Sequence, residues 1–393
     1  MGKLKNKWIS GLIPALLIHI CMGVIYCWSI IKTDVAYAMQ CSTSDIEIAF
    51  SLSLLCLGLT TAIFGRFVDY DVKLSTGLAG LFFVLGMGGS VIAINCGSPT
   101  MFIVSYGVLQ GIGLGIGYIT PIKNLMMWFD EHKGVMIGLV LCMFGLSKIL
   151  FAPAISNMVD VHGIDYAIGY VTVIGFVGML IAKCLIDEPD GYGDDFKIVS
   201  LKDLWHDVCD KRFMSIWGMF FLNALCGVAM ISYERVMLVD VCVNDVTFWV
   251  MVAAISNVLG RFFVPVIMLK QDHKATAFIY TFFVCAVATV LALISLKPWT
   301  MILMMVVVNF CYGGSFSALP ILLHERYGYR NLALIHGLML GAWAIGGFGG
   351  DMLADYLYRI VGDGGTVELI RKFFIFYMLA FIVTFRGFYA NTK

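Results

Sequence analysis

Charge is scarce in this sequence: Asp, Glu, Lys and Arg make up 13% of it, where soluble domains carry about 25%. That scarcity excludes an ordinary water-soluble globule. The few charges also cancel, 26 basic against 26 acidic, so no excess of either sign points to nucleic acid or another polyanion. Catalytic and nucleotide-binding signatures are missing too. There is no GxxxxGK[ST] phosphate loop, no GxSxG elbow and no His-rich zinc pattern, which argues against direct ATP-driven pumping, against an enzyme and against a resident cofactor or metal. The 12 cysteines are scattered, mostly in apolar runs and without CxxC pairs. They read as small buried hydrophobes in a reducing setting rather than as a disulfide framework.

What the chain has in abundance is apolar surface. Hydrophobic residues make up 60% of its 393 positions, against about 45–50% in soluble domains. A membrane-crossing helix needs about 20 apolar residues, so this length accommodates about a dozen spans. Cutting at charged and turn-rich breaks gives six spans running from Trp8–Ile31 to Asp165–Ile186 and six more from Phe213–Tyr233 to Phe373–Phe388. The expected fold is therefore an all-α membrane protein with 12 transmembrane helices. It divides into a bundle at 1–186, a cytoplasmic linker at 187–212 with an amphipathic stretch at Leu201–Val208, and a second bundle at 213–393. The basic start followed by a long apolar run reads as a retained first span rather than a cleaved signal.

Basic residues set the orientation. With the N-terminus inside, 18 of the 26 Lys and Arg, among them Lys7, Lys73, Lys123 and Lys270, fall on inner connections. Six fall outside: Lys32, Arg235, Lys297, Arg359, Arg371 and Lys372. The expectation is a multi-pass protein of the cell membrane with both termini cytoplasmic, embedded in lipid, with no nucleic-acid or obligate protein partner.

Two cations remain, Lys148 and Arg261, each near the middle of its span. A charge at bilayer mid-depth costs at least about 2.5–3.5 kcal/mol, so it usually faces a bundle interior or cavity on a substrate path. Asn257 lies one helical turn before Arg261, where its amide can orient the guanidinium, whose planar fork suits a carboxylate. No acidic residue stands at comparable depth in the sequence; Glu47 and Glu234 fall near the expected outer ends. The counter-charge is then expected to be an anionic substrate. Tyr26, Trp28, Tyr118, Tyr312, Phe316 and Trp343 lie at similar depth and could wall such a site, although each alone is more often packing. His19 and His336 titrate near physiological pH in principle, but a lone histidine on an apolar helix is more often structural. Glycines cluster at 107–117 and 341–350, a composition that permits close helix contacts.

Several segments carry a resemblance. The run Gly65-Arg66-Phe67-Val68-Asp69-Tyr70-Asp71-Val72-Lys73 resembles the loop between spans two and three of the major facilitator superfamily, which makes Gly65 and Asp69 candidate gating residues. Gly260 to Leu269 looks like a decayed second copy, with Pro265 and Leu269 at the usual glycine and acidic positions. Tyr26-Cys27-Trp28-Ser29, Gly111 to Tyr118 with Pro121, Phe221-Leu222-Asn223-Ala224, Ser256 to Arg261 and Tyr312 to Phe316 with Pro320 resemble the oxalate:formate antiporter family within that superfamily. The resemblance implies the major facilitator fold, two six-helix bundles with a midplane carboxylate site between them, and alternating access. It places Arg261 at a substrate-binding arginine and Tyr118, Tyr312 and Phe316 at or near an aromatic cage. Trp343 stands where the family has a second cationic ligand, a lysine. Either Lys148 supplies the second charge from another helix, or the substrate is a monocarboxylate or another small anion. The expected substrate-binding set is Arg261, Lys148, Asn257, Tyr26, Trp28, Tyr118, Tyr312, Phe316, Trp343 and His336. The expected function is a secondary active or facilitative transporter of small organic anions, with a non-transporting anion sensor or an exporter of other small molecules as alternatives.

Overall fold

The computed structural model describes residues 6–190, 208–328 and 332–388. The amphipathic stretch expected at Leu201–Val208 lies almost wholly outside them, as does the side chain of Asp69. The described residues form no β-strand and run as 12 helical rods. They are α1 (7–38), α2 (Thr43–Tyr70), α3 (Val72–Asn95), α4 (Pro99–Trp128), α5 (Lys133–His162), α6 (Ile164–Leu185), α7 (Lys211–Asp240), α8 (Val246–Leu269), α9 (Ala275–Ile294), α10 (Pro298–Tyr327), α11 (Leu332–Val361) and α12 (Gly365–Phe388). Among the described residues, ten helices, those of α1 to α10, are long and apolar enough to cross a membrane.

Some rods run past the expected spans where a charge had been taken for a loop. The rod α1 continues through Lys32 to Ala38, and α12 begins at Gly365 and carries Arg371 and Lys372 on its second turn. Long cationic stems reach the interface from inside a helix, so a Lys or Arg need not end one. The 65–73 segment is likewise no open loop. Gly65 lies within α2, which runs to Tyr70, and α3 starts at Val72. The single break residue, Asp71, caps α3 by accepting from the Lys73 and Leu74 amides at 2.8 Å each.

The described chain divides into two compact units, Met1–Lys197 with Tyr327–Gly341, and Ile198–Arg326 with Ala342–Lys393. Within the first, α3 packs on α4 and α6, and α2 packs on α4. Within the second, α12 packs on α7 and α9. Glycine determines how closely some of these helices approach. Cβ atoms at Gly107, Gly111 and Gly115 of α4 would meet the backbone of α2, and one at Gly260 of α8 would fall on the Phe310 carbonyl of α10. Of the ten apolar helices, α4 and α10 are the most enclosed, with 72% of the apolar window buried in each. Of the candidate aromatic residues, α4 carries Tyr118, and α10 carries Tyr312 and Phe316.

Two rods are locally irregular. The first, α1, tightens to a 3₁₀ segment at Gly23–Cys27, and α4 widens to a π segment at Ile103–Leu109. Such segments re-aim side chains and occur often at functional positions; the one in α1 contains Tyr26.

Candidate functional site

In the second unit the residues around Arg261 form one connected group. The close crossing of α8 over α10 arises because Gly260 faces Phe310 and Gly313 faces the Asn257 carbonyl. That approach brings α8 side chains onto the aromatic face of α10. Arg261 is 3% exposed. Its Nε donates to Asn257 Oδ1 at 3.0 Å, and its guanidinium carbon lies 5.1 Å from the Phe316 ring centroid. The hydrogen bond and the ring together hold the planar cation in place. Phe316 is packed in turn by Trp343 at 5.5 Å, edge to face, and by Phe220 at 5.8 Å. Trp343 Nε1 donates to the Tyr312 hydroxyl at 2.8 Å. The room for the Tyr312 ring comes from α7, where a Cβ at Gly227 would strike it. Thus Arg261, Asn257, Phe316, Trp343 and Tyr312 are brought together, and the indole at 343 supports the tyrosine.

The first unit holds a second group, centred on Phe144 of α5. Its ring meets Tyr26 at 5.3 Å, His19 at 5.9 Å and Tyr118 at 5.9 Å. Tyr118 also contacts His19 at 5.7 Å and His336 at 5.6 Å. The α1–α5 approach that allows this runs through Gly23, where a Cβ would fall on the Phe144 carbonyl. Ser147 Oγ reinforces it, donating to the Ile20 carbonyl at 2.7 Å. Lys148, half-buried, follows Phe144 by one turn and acts electrostatically on Cys27 of α1. Trp28 stands apart from these residues. It stacks on Phe50 at 6.0 Å and contacts Tyr106 at 5.2 Å, in a packed cluster with Phe102.

Two buried charges escaped the sequence reading. Glu234 of α7 is only 7% exposed and accepts from Asn309 Nδ2 of α10 at 3.4 Å; closeness to a helix end had suggested solvent. Lys123, counted with the inner loops, is 2% exposed inside α4 and donates to the Val68 carbonyl at 3.4 Å. Its charge acts on Glu188, which accepts from the Val72 amide at 3.4 Å. Burial pushes the Glu188 carboxyl above its ordinary pKa, against the pull of Lys123. Around them, Asn124 Nδ2 donates to the Ser10 carbonyl at 3.0 Å, and Trp128 Nε1 to the Asp187 carbonyl at 2.8 Å. These bonds tie the ends of α1, α4 and α6 together. No signal of periodicity could have separated Lys123 from a loop lysine, because it sits in the last turns of its helix. All 12 cysteines carry free thiols, and no cluster of metal-ligating side chains occurs among the described residues.

The model of the Major Facilitator Superfamily matches residues 15–350. The chain belongs to the major facilitator superfamily. Among superfamily relatives, the Oxalate:formate antiporter of Oxalobacter formigenes is 23% identical over 98% of this chain and 94% of its own length. Apicoplast pyruvate carrier 1 of Toxoplasma gondii is 20% identical over 93% of this chain and 87% of its own. Among solved structures, the superfamily transporter FucP in the outward conformation aligns with a TM-score of 0.74 at 14% identity, covering 97% of this chain and 99% of that one. At that identity the likeness concerns the fold alone. As a superfamily member, the chain is a multi-pass membrane transporter and not an enzyme.

Proposed function

We propose that this transporter carries small organic anions, chiefly carboxylates, by alternating access, with Arg261 as the carboxylate-binding group. The observation that carries the reading is the buried Arg261, oriented by Asn257 and backed by the Phe316 ring. A guanidinium held in this way presents paired donors that match a carboxylate and cost little to reorganise. Binding an anion lowers the net charge of the site. The loaded carrier then reorients more readily than the empty one, which favours exchange of one anion for another. Lys148, in the first unit, supplies further positive potential. The relatives support the substrate class, one being an oxalate:formate antiporter and another a pyruvate carrier. The protein resides in the cell membrane with both termini cytoplasmic, and Gly65 and Asp69 belong to its gating segment.

Uptake of labelled oxalate, formate and pyruvate into liposomes containing the purified chain tests the proposal. Arg261→Gln should reduce carboxylate transport by at least about 100-fold, the scale expected for losing a charge-assisted pair of about 3 kcal/mol. Unchanged transport in that variant would remove Arg261 from the site.

A further inference from the structure

One face of α7 runs along the arginine group. Phe220, Asn223 and Gly227 follow one another at intervals of three and four residues, the spacing that puts helical side chains on one side. The two outer positions fix where that side points. The Phe220 ring meets Phe316 of α10 at 5.8 Å, and a Cβ at Gly227 would strike the ring of Tyr312, one turn earlier on α10. Asn223 is therefore bracketed by the two α10 aromatics of the arginine group. From α11, a Cβ at Gly346, one turn beyond Trp343, would lie 3.2 Å from that of the neighbouring Ala224, so this part of α7 is covered. Asn223 is 2% exposed, and its Nδ2 meets no hydrogen-bond partner among the described residues. A buried amide normally finds one. Its neighbours have other commitments: Trp343 Nε1 donates to the Tyr312 hydroxyl, and Asn257 Oδ1 accepts from Arg261 Nε. A donor is thus buried beside the arginine group without an acceptor among the described residues.

We propose that Asn223 is a specificity-determining residue of this carrier: its Nδ2 donates to an oxygen on the carbon next to the bound carboxylate, which selects 2-oxo acids. The assignment rests on the carboxylate-carrier reading and adds a second contact to the one at Arg261. The two contacts divide the substrate by charge. A guanidinium attracts any carboxylate and so discriminates little among them. A neutral amide N–H is matched by a neutral acceptor, and the rings of Phe220, Phe316 and Trp343 carry none. An acid with a carbonyl beside its carboxylate brings that acceptor. A plain aliphatic acid leaves the buried donor unmet, and a site built around a hydrogen bond rejects an analogue lacking the oxygen far better than an apolar pocket rejects a missing methylene. The aromatic wall also keeps water from the amide, so that water does not take the place of the substrate oxygen.

The test uses the full chain in liposomes at about pH 7.5 on both sides, where carboxylic acids are ionised. Labelled pyruvate at trace concentration is the probe, and unlabelled pyruvate and propionate are the competitors. These acids have the same carbon skeleton and one carboxylate each, and differ in the 2-oxo oxygen. The expected wild-type result is half-inhibition by pyruvate at a concentration about 10-fold or more below that of propionate. Asn223→Leu, close to the native shape but without the donor, should raise the pyruvate value to meet that of propionate. Asn257→Ala, which loosens the arginine, should weaken both acids alike and keep their ratio. A preference that survives in Asn223→Leu, a loss of equal size for both acids, or a wild type that does not distinguish them would overturn the assignment and leave the carboxylate reading standing. Failure of pyruvate, oxalate and formate alike to be carried would sink that reading and the assignment with it. Should Asn223→Leu carry nothing, Asn223→Ala is read in the same way, with quenching of tryptophan fluorescence in detergent giving the ratio of affinities for a variant that binds without transport.

Discussion

Asn257 matters because of what it does to Arg261. An arginine side chain has many rotamers, and holding one in place costs entropy that a fixed acceptor on the same helix offsets. The hydrogen bond from Arg261 Nε to Asn257 Oδ1 is of the charged kind, so Asn257→Ala should weaken carboxylate binding by roughly 10- to 100-fold, as expected for about 1.5–3 kcal/mol. Competition of unlabelled oxalate against labelled substrate in liposomes would measure it. Lys123 offers a residue-scale test of a different kind. It is buried beside Glu188, whose carboxyl burial already makes harder to ionise. Lys123→Met removes the compensating cation and should cost about 1–2 kcal/mol of stability at neutral pH, a figure reduced for the part of Glu188 that reaches solvent. The sign with pH follows from the raised pKa. Below it Glu188 is neutral and the missing lysine matters less, so the deficit in thermal midpoint should shrink as the pH falls from about 7.5 towards 4.5. A deficit that stays constant with pH would separate Lys123 from Glu188.

Among the helices, α8 and α10 owe their approach to glycine at the crossing. A larger residue at Gly260 would place its Cβ on the Phe310 carbonyl, an atom with no freedom to rotate away. Gly260→Leu should therefore force the helices apart, costing roughly 1–3 kcal/mol or more, and lower the recovery of monodisperse protein in detergent. Gly349 makes a matched control, because a Cβ there meets nothing within 4 Å. The same crossing explains why the site was only partly legible. The spacing of Asn257 and Arg261 is a helical turn and can be read from sequence. That Arg261 lies on Phe316, and that Trp343 donates to Tyr312, depends on how three helices cross. Trp28 shows the opposite outcome: two residues beyond Tyr26 it faces another side of α1 and packs with Phe50 and Tyr106.

For the whole molecule, the orientation proposed from the uneven distribution of basic residues is open to a direct check. A reporter fused at either end should be protected in intact spheroplasts and attacked only after lysis, since both termini are assigned to the cytoplasm. Accessibility of one terminus from outside would require an odd number of crossings. The amino-acid sequence by itself determined the membrane setting and the succession of helices, because both depend on composition, and it singled out Arg261 as a candidate from neighbours within one helical turn. It misjudged Lys123 and Glu234, since distance from a helix end is a poor guide to burial once other helices pack around that end. Only the tertiary structure decided which polar groups acquire partners. Burial and hydrogen bonding are set by residues far apart in the chain, and for that reason the guanidinium of Arg261 is held by an amide and a ring while the imidazole of His336 has no hydrogen-bond partner among the described residues.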